Sequence, residues 1–172
     1  MSEDLSSYMI KAAEGDKESF RFIANALGYR MHAIAIKILG SSHFEDAEDV
    51  VQISLIKLWQ SAPRWVNKGS IEGYIYKIVF STCMDFLRTH KGAEEFKDNY
   101  SNRGITNNEY KTYELREMLL KNIQKLPKEQ EEAILLYYFS GYKQREVSSI
   151  LKKSDKATES LIIRARKKLK TI

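Results

Sequence analysis

Tyr74, Tyr76, Lys77, Phe80, Ser81, Met84 and Arg88 recur along the stretch "GSIEGYIYKIVFSTCMDFLRTHK" at the spacing of a helix. Aromatic rings set among cations suit an unpaired nucleic-acid strand: rings stack on splayed bases while ammonium and guanidinium groups hold phosphates. The same residues admit a plainer reading. Ile71, Ile75, Ile78, Val79, Thr82 and Phe86 form one apolar stripe and Tyr76, Phe80, Met84 and Leu87 a second, as in a central helix buried on two sides with a solvated basic edge. Both readings stay open on the residues alone.

A second candidate is "YKQREVSSILKKSDKATESLIIRARKKLK", where a short helix, a tight turn and a longer basic helix match the outline of a helix-turn-helix. Ala157, Thr158, Leu161, Ile162, Ala165 and Leu169 share the expected core face of the second helix. Lys156, Glu159, Ser160, Ile163, Arg166, Lys167 and Lys170 point outward, with Arg164 in the same basic tail. A third is "SSHFEDAEDVVQISLIKLWQ". Ser42 and Glu45 are spaced as a capping box, and the acidic first turn complements the helix dipole. Ala47, Val50, Val51, Ser54, Leu55 and Leu58 make its core stripe, leaving Asp49, Ile53, Ile56 and Gln60 on the opposite side. Two isoleucines among polar residues suit protein docking, or cover by another helix of the same domain. A carboxylate metal cluster at Glu45, Asp46, Glu48 and Asp49 is the weaker reading, because consecutive acids on a helix radiate apart.

Catalytic chemistry finds no support. His32, His43 and His90 are scattered, Cys83 sits in an apolar helix, and no nucleophile motif, glycine-rich phosphate loop or zinc spacing occurs. No catalytic residue, metal site or cofactor is expected.

The elements that must position these residues are all helical: 2 Pro, 8 Gly and amphipathic periodicity throughout predict an all-α fold. Residues 1–92 read as one helical domain, 93–112 as a flexible extended linker rich in Asn, Gly, Lys and Glu, and 113–172 as a helix-turn-helix domain. Net charges of 0 for residues 1–92, −1 for 93–113 and +6 for 114–172 make the last third the candidate polyanion binder. A lone cysteine fits a reducing, cytoplasmic setting. No apolar run approaches the roughly 20 residues of a membrane span, and the polar start "MSEDLSSYMIK" does not read as a signal peptide.

In this order and at these separations, "DAEDVVQ…LIKLW", "GSIEGYIYKI…DFLR" and "LPKEQEEAILLYYFSGYKQREVSSIL…RARKKL" resemble bacterial RNA polymerase sigma factors of the extracytoplasmic-function group. The resemblance implies an initiation subunit rather than an enzyme. Its partners would be core RNA polymerase and promoter DNA; an anti-sigma factor, and an accessory DNA-targeting protein such as an RNA-guided complex, are further partners it admits. It places Asp46, Asp49, Gln52, Ile53 and Ile56 against the polymerase clamp. Tyr74, Lys77, Phe80, Ser81 and Arg88 would lie along the melted −10 strand. Lys156, Glu159, Ser160, Ile163, Arg164, Arg166 and Lys167 would meet −35 DNA or a partner. The alternative is a helix-turn-helix regulator that is not a polymerase subunit; it would not need the first two segments.

Departures from the family pattern concentrate at the reading residues. Ser81 stands where Asn is usual, after Phe80 where Arg is common, and Ile53 replaces a usual Glu. Lys152 and Lys153 replace a turn's habitual Gly and apolar residue. Glu159 and Leu161 stand where Lys and Arg are expected, which predicts weakened duplex reading.

Overall fold

The structure, a computed structural model, describes residues 5–40, 43–65, 70–97 and 107–171, with side chains at all of these except 91–97 and 107–114. Among the described residues eight helices follow one another: α1 (Leu5–Ala13), α2 (Lys17–Leu39), α3 (Phe44–Ser61), α4 (Ile71–Lys97), α5 (Asn107–Gln124), α6 (Lys128–Ile134), α7 (Gln144–Leu151) and α8 (Asp155–Lys170). Among the described residues there is no strand. A 3₁₀ turn (Ala62–Arg64) ends α3, and α6 widens into a π-helical turn over Leu135–Phe139.

Local chemistry sets the boundaries. The Asp16 carboxylate accepts from the Glu18 and Ser19 amides at 3.2 and 3.3 Å and starts α2; the Ser154 hydroxyl accepts from the Ala157 amide at 3.2 Å and starts α8. At α3 the expected capping box gives way to a later start. His43 is the N-cap and makes no side-chain cap bond; its ring instead meets the Asp46 carboxylate at 2.7 Å, and Ser42 lies outside the described residues. The linker expectation is narrowed at both ends, since α4 runs on to Lys97 and α5 already begins at Asn107. Ala93, Glu94, Glu95 and Lys97 are good helix formers, and their propensity carries α4 past the last apolar residue of its stripe.

In the first domain α1, α2, α3 and α4 pack together around Met9, Ile23, Met31, Ile34, Ile38, Val50, Leu58, Ile75 and Val79. In the second, α6 and α7 pack on α8, with Thr158, Leu161, Ile162 and Ala165 inward. Ala157, expected in the core, is exposed, while Thr158 next to it is fully buried and takes the inward position of that turn. The turn between α7 and α8 is closed by Lys152 in the left-handed region (φ 53°, ψ 44°), and the Lys153 amide donates to the Ser148 carbonyl at 2.9 Å. Lys152 is the only non-glycine residue among those described with positive φ.

The two domains are not merely tethered. Most of their buried apolar residues form one shared core, in which α4 meets both the π turn and α7, while Ala133, Leu161 and Ile162 make a smaller separate cluster between α6 and α8. The second apolar stripe of α4 is thereby covered: Tyr76 and Phe80 are fully buried, and Met84 and Leu87 nearly so. Gly73 makes the approach close, since a Cβ there would stand 2.6 Å from the Ser70 hydroxyl and 3.3 Å from the Glu132 side chain.

Candidate nucleic-acid interface

The end of α3, the 3₁₀ turn and the first three turns of α4 enclose an open groove of about 410 Å³ lined by Lys57, Gln60, Ser61, Arg64, Tyr74, Lys77, Ile78 and Ser81. Three cations, one ring and small hydroxyls line one concavity. That combination suits an unpaired nucleotide: charge for phosphate, a flat face for a base, and short donors for its edge.

Each wall is held in place. The Tyr74 hydroxyl donates to the Ser61 hydroxyl at 2.9 Å, fixing its ring across the mouth between α3 and α4. Lys57 reaches from α3 to α4, with Nζ 3.2 Å from both the Thr82 hydroxyl and the Asp85 carboxylate. Arg64 is exposed on the turn, placed there by Pro63 at its start. Lys77 points toward the second domain, where Nζ sits 3.1 Å from the Glu131 carboxylate and 3.8 Å from that of Glu132. Burial pushes the Glu132 carboxyl above its ordinary value, against the opposing pull of Lys77.

Of the five residues expected along the strand, Tyr74, Lys77 and Ser81 line the groove. Phe80 does not: it is buried on the other side of α4, edge-on to Phe139 at 6.2 Å between centroids. One hundred degrees per residue separates it from Ser81, and the second domain covers that face. Arg88 lies two turns beyond the groove, exposed and paired with Asp85. The sequence pattern alone did not single out Lys57, Ser61 and Arg64, and it grouped Gln60, which lines the groove, with the outward isoleucines of α3. Their signal was the spacing Lys57, Gln60, Ser61 on one helical edge and a cation directly after Pro63.

On α3 the outward face remains uncovered in the described structure. Ile53 and Ile56 are 44% and 57% exposed, beside exposed Asp49 and Gln52, with Asp46 half-buried under His43. Cover by another helix of the domain is therefore not what these isoleucines receive. On α8, Lys156, Glu159, Ser160, Ile163, Arg164, Arg166 and Lys167 are all exposed, with Ile163 at 54% and the Arg164 Nε donating to the Ser160 carbonyl at 3.2 Å. No group of His, Cys, Asp and Glu among the described residues is disposed to hold a metal ion, and no described helix is long and apolar enough to cross a membrane.

Comparison with known proteins matches both halves of the chain. Residues 24–93 fit the model of Sigma-70 region 2 and residues 116–169 that of Sigma-70 region 4. The chain is 31% identical over 125 residues to RNA polymerase sigma factor SigZ of Bacillus subtilis, covering 73% of this chain and 71% of that protein. It is 24% identical over 181 residues to the ECF RNA polymerase sigma-E factor of Salmonella typhimurium, covering 96% and 93%. A solved structure of CnrH in complex with the cytosolic domain of CnrY shares the fold, with a TM-score of 0.50, 21% identity and coverage of 98% and 95%. By these matches the chain belongs to the RNA polymerase sigma factors, in their extracytoplasmic-function group.

Proposed function

We propose that the chain docks on core RNA polymerase through the outward face of α3 and receives the unpaired −10 strand of the promoter in the groove between α3 and α4. The convergence of Lys57, Arg64 and Lys77 with Tyr74 and Ser81 in one concavity carries this reading. Asp49, Gln52, Ile53 and Ile56 supply the mixed polar and apolar patch that a protein interface needs, and they lie on the face of α3 away from the core. Arg88 extends the basic track beyond the groove. Ser81 in place of an amide side chain limits edge contacts to one hydroxyl, so recognition in the groove leans on stacking and phosphate contacts. Permanganate probing of promoter thymines in a polymerase complex tests the assignment: Arg64→Ala should slow opening at least about tenfold, the loss of one charge-assisted bond, without lowering polymerase affinity, and unchanged reactivity would reject it.

A second reading concerns the second domain alone. Glu159 and Ile163 face outward on α8 where cations would grip a duplex, which favours an accessory DNA-targeting partner supplying part of upstream promoter location. Selection of bound sequences from a random duplex library by the polymerase complex discriminates. Enrichment of a defined upstream motif dependent on Lys156 and Ser160 would remove the need for such a partner. A regulator independent of polymerase would have no use for the α3 face or the groove.

A further inference from the structure

The loop that follows the π turn does more than link α6 to α7. It docks on the first domain through a set of directional contacts: Arg30 stacks over the Tyr142 ring at 3.7 Å and donates to the Ser140 carbonyl at 2.9 Å, and Lys37 donates to the Tyr138 carbonyl at 2.9 Å. The Tyr76 and Tyr142 hydroxyls share a hydrogen bond of 3.1 Å, and burial raises the pKa of both. Gly141 at φ 73° gives the loop the turn that presents Ser140 and Tyr142 together. A few residues away, Glu131 and Glu132 take Lys77, which is also a groove residue.

From this shared lysine we infer that the chain is its own competitor: the Glu131–Glu132 pair occupies Lys77 in the place of a strand phosphate, and docking of the second domain holds the free protein in a closed form of low strand affinity. The inference rests on the reading of the groove as the strand site. Two carboxylates flanking an ammonium imitate the charge of a phosphate, and a half-buried cation so paired is not free to bind another anion. Beside the apolar contact of the π turn and α7 with α4, the clasp carries cations on carbonyls, a ring and carboxylates, polar contacts of the kind found between domains that open and close. The exposed α3 face is untouched by the closed form, so polymerase can engage first and strand capture follows opening.

The test uses the full chain in two independent variants, Glu131→Gln with Glu132→Gln, and Arg30→Gln, with helicity checked by circular dichroism so that either one suffices if the other fails to fold. Small-angle scattering reads closure: about 16 Å is expected for the radius of gyration of a compact chain of 172 residues. Fluorescence anisotropy reads affinity for a labelled mixed-sequence single-stranded decamer. The wild type should be compact, both variants expanded, and the variants should bind the decamer at least about tenfold tighter, a gain of about 1.4 kcal/mol. Adding Arg64→Ala should cancel the gain. Variants that remain at the wild-type radius, or a wild type already expanded, would overturn the closed form. Expanded variants with wild-type affinity that Arg64→Ala still weakens would overturn the competition and leave the groove reading intact. If no form binds the decamer and Arg64→Ala changes nothing, the groove reading fails and the inference with it.

Discussion

The groove beside α4 and the outer face of α8 carry similar residue types and differ in form. In the groove, Lys57, Arg64 and Lys77 come from three elements and surround Tyr74 and Ser81, with Tyr74 pinned by Ser61. On α8, Lys156, Arg164, Arg166 and Lys167 lie along one exposed helix with Glu159 and Ile163 between them. Charge drawn from several elements into a concavity is positioned before any ligand arrives, and its field is less screened than that of a solvated row. A row of cations on one helix offers attraction without a fixed register. Net charge thus pointed to the less organised of the two surfaces: residues 114–172, which include α8, carry +6, while the shaped site sits in the neutral first domain.

The largest effect expected of that contrast is at the groove. Replacing Lys57 and Arg64 together by Ala should reduce promoter opening by at least about 100-fold, from the loss of two charge-assisted bonds at roughly 1.5–3 kcal/mol each. Permanganate kinetics at fixed polymerase saturation measure it, and a loss equal to that of Arg166→Ala with Lys167→Ala would erase the distinction between the two regions. On α8 the informative change is a gain. Glu159→Lys reverses one charge and should steepen the salt dependence of duplex binding by about one in slope, raising affinity roughly three- to tenfold at low salt. Anisotropy titrations across a potassium chloride series read both quantities.

A smaller effect sharpens the structural side. Lys152 holds a left-handed turn that costs a side-chain-bearing residue roughly 1 kcal/mol, so Lys152→Gly should raise stability of the second domain by about that amount in urea unfolding. Destabilisation instead would mean that the turn opens in solution. The smallest expected effect is at Cys83. It is fully buried in α4, and burial pushes its thiol up to about 12, so native protein at pH 8 should resist thiol reagents until it unfolds. A raised thiol pKa favours the folded state while the group is protonated. That contribution is present below the ordinary value of 9.0 and is lost as pH rises through about 12.

Much of the fold was legible because the helices are punctuated locally. Gly15, Gly40 and Ser154 stand where α1, α2 and α8 begin or end, and the two stripes of α4 named its buried faces correctly. What covers the second stripe was not legible. Phe80 reads equally well as a ring waiting for a base or a ring packed in a core, and only Phe139, 59 residues later, decides it. The groove escaped the sequence for the same reason. Lys57, Arg64 and Tyr74 belong to different elements, and helical periodicity says nothing about how the end of one helix faces the start of the next. The α3 face lay between these cases: its pattern allowed docking or cover, and the exposed Ile53 and Ile56 show that no described helix covers it.

Base-by-base fluorescence shows whether the groove takes an unpaired base. Core polymerase bound to the chain and to forked promoter DNA would carry 2-aminopurine at each position of the unpaired −10 strand in turn. Stacking on Tyr74 should quench one position, or two neighbouring ones, and Tyr74→Leu should restore the signal there while polymerase affinity stays the same. Identical emission from wild type and Tyr74→Leu at every position would contradict the account.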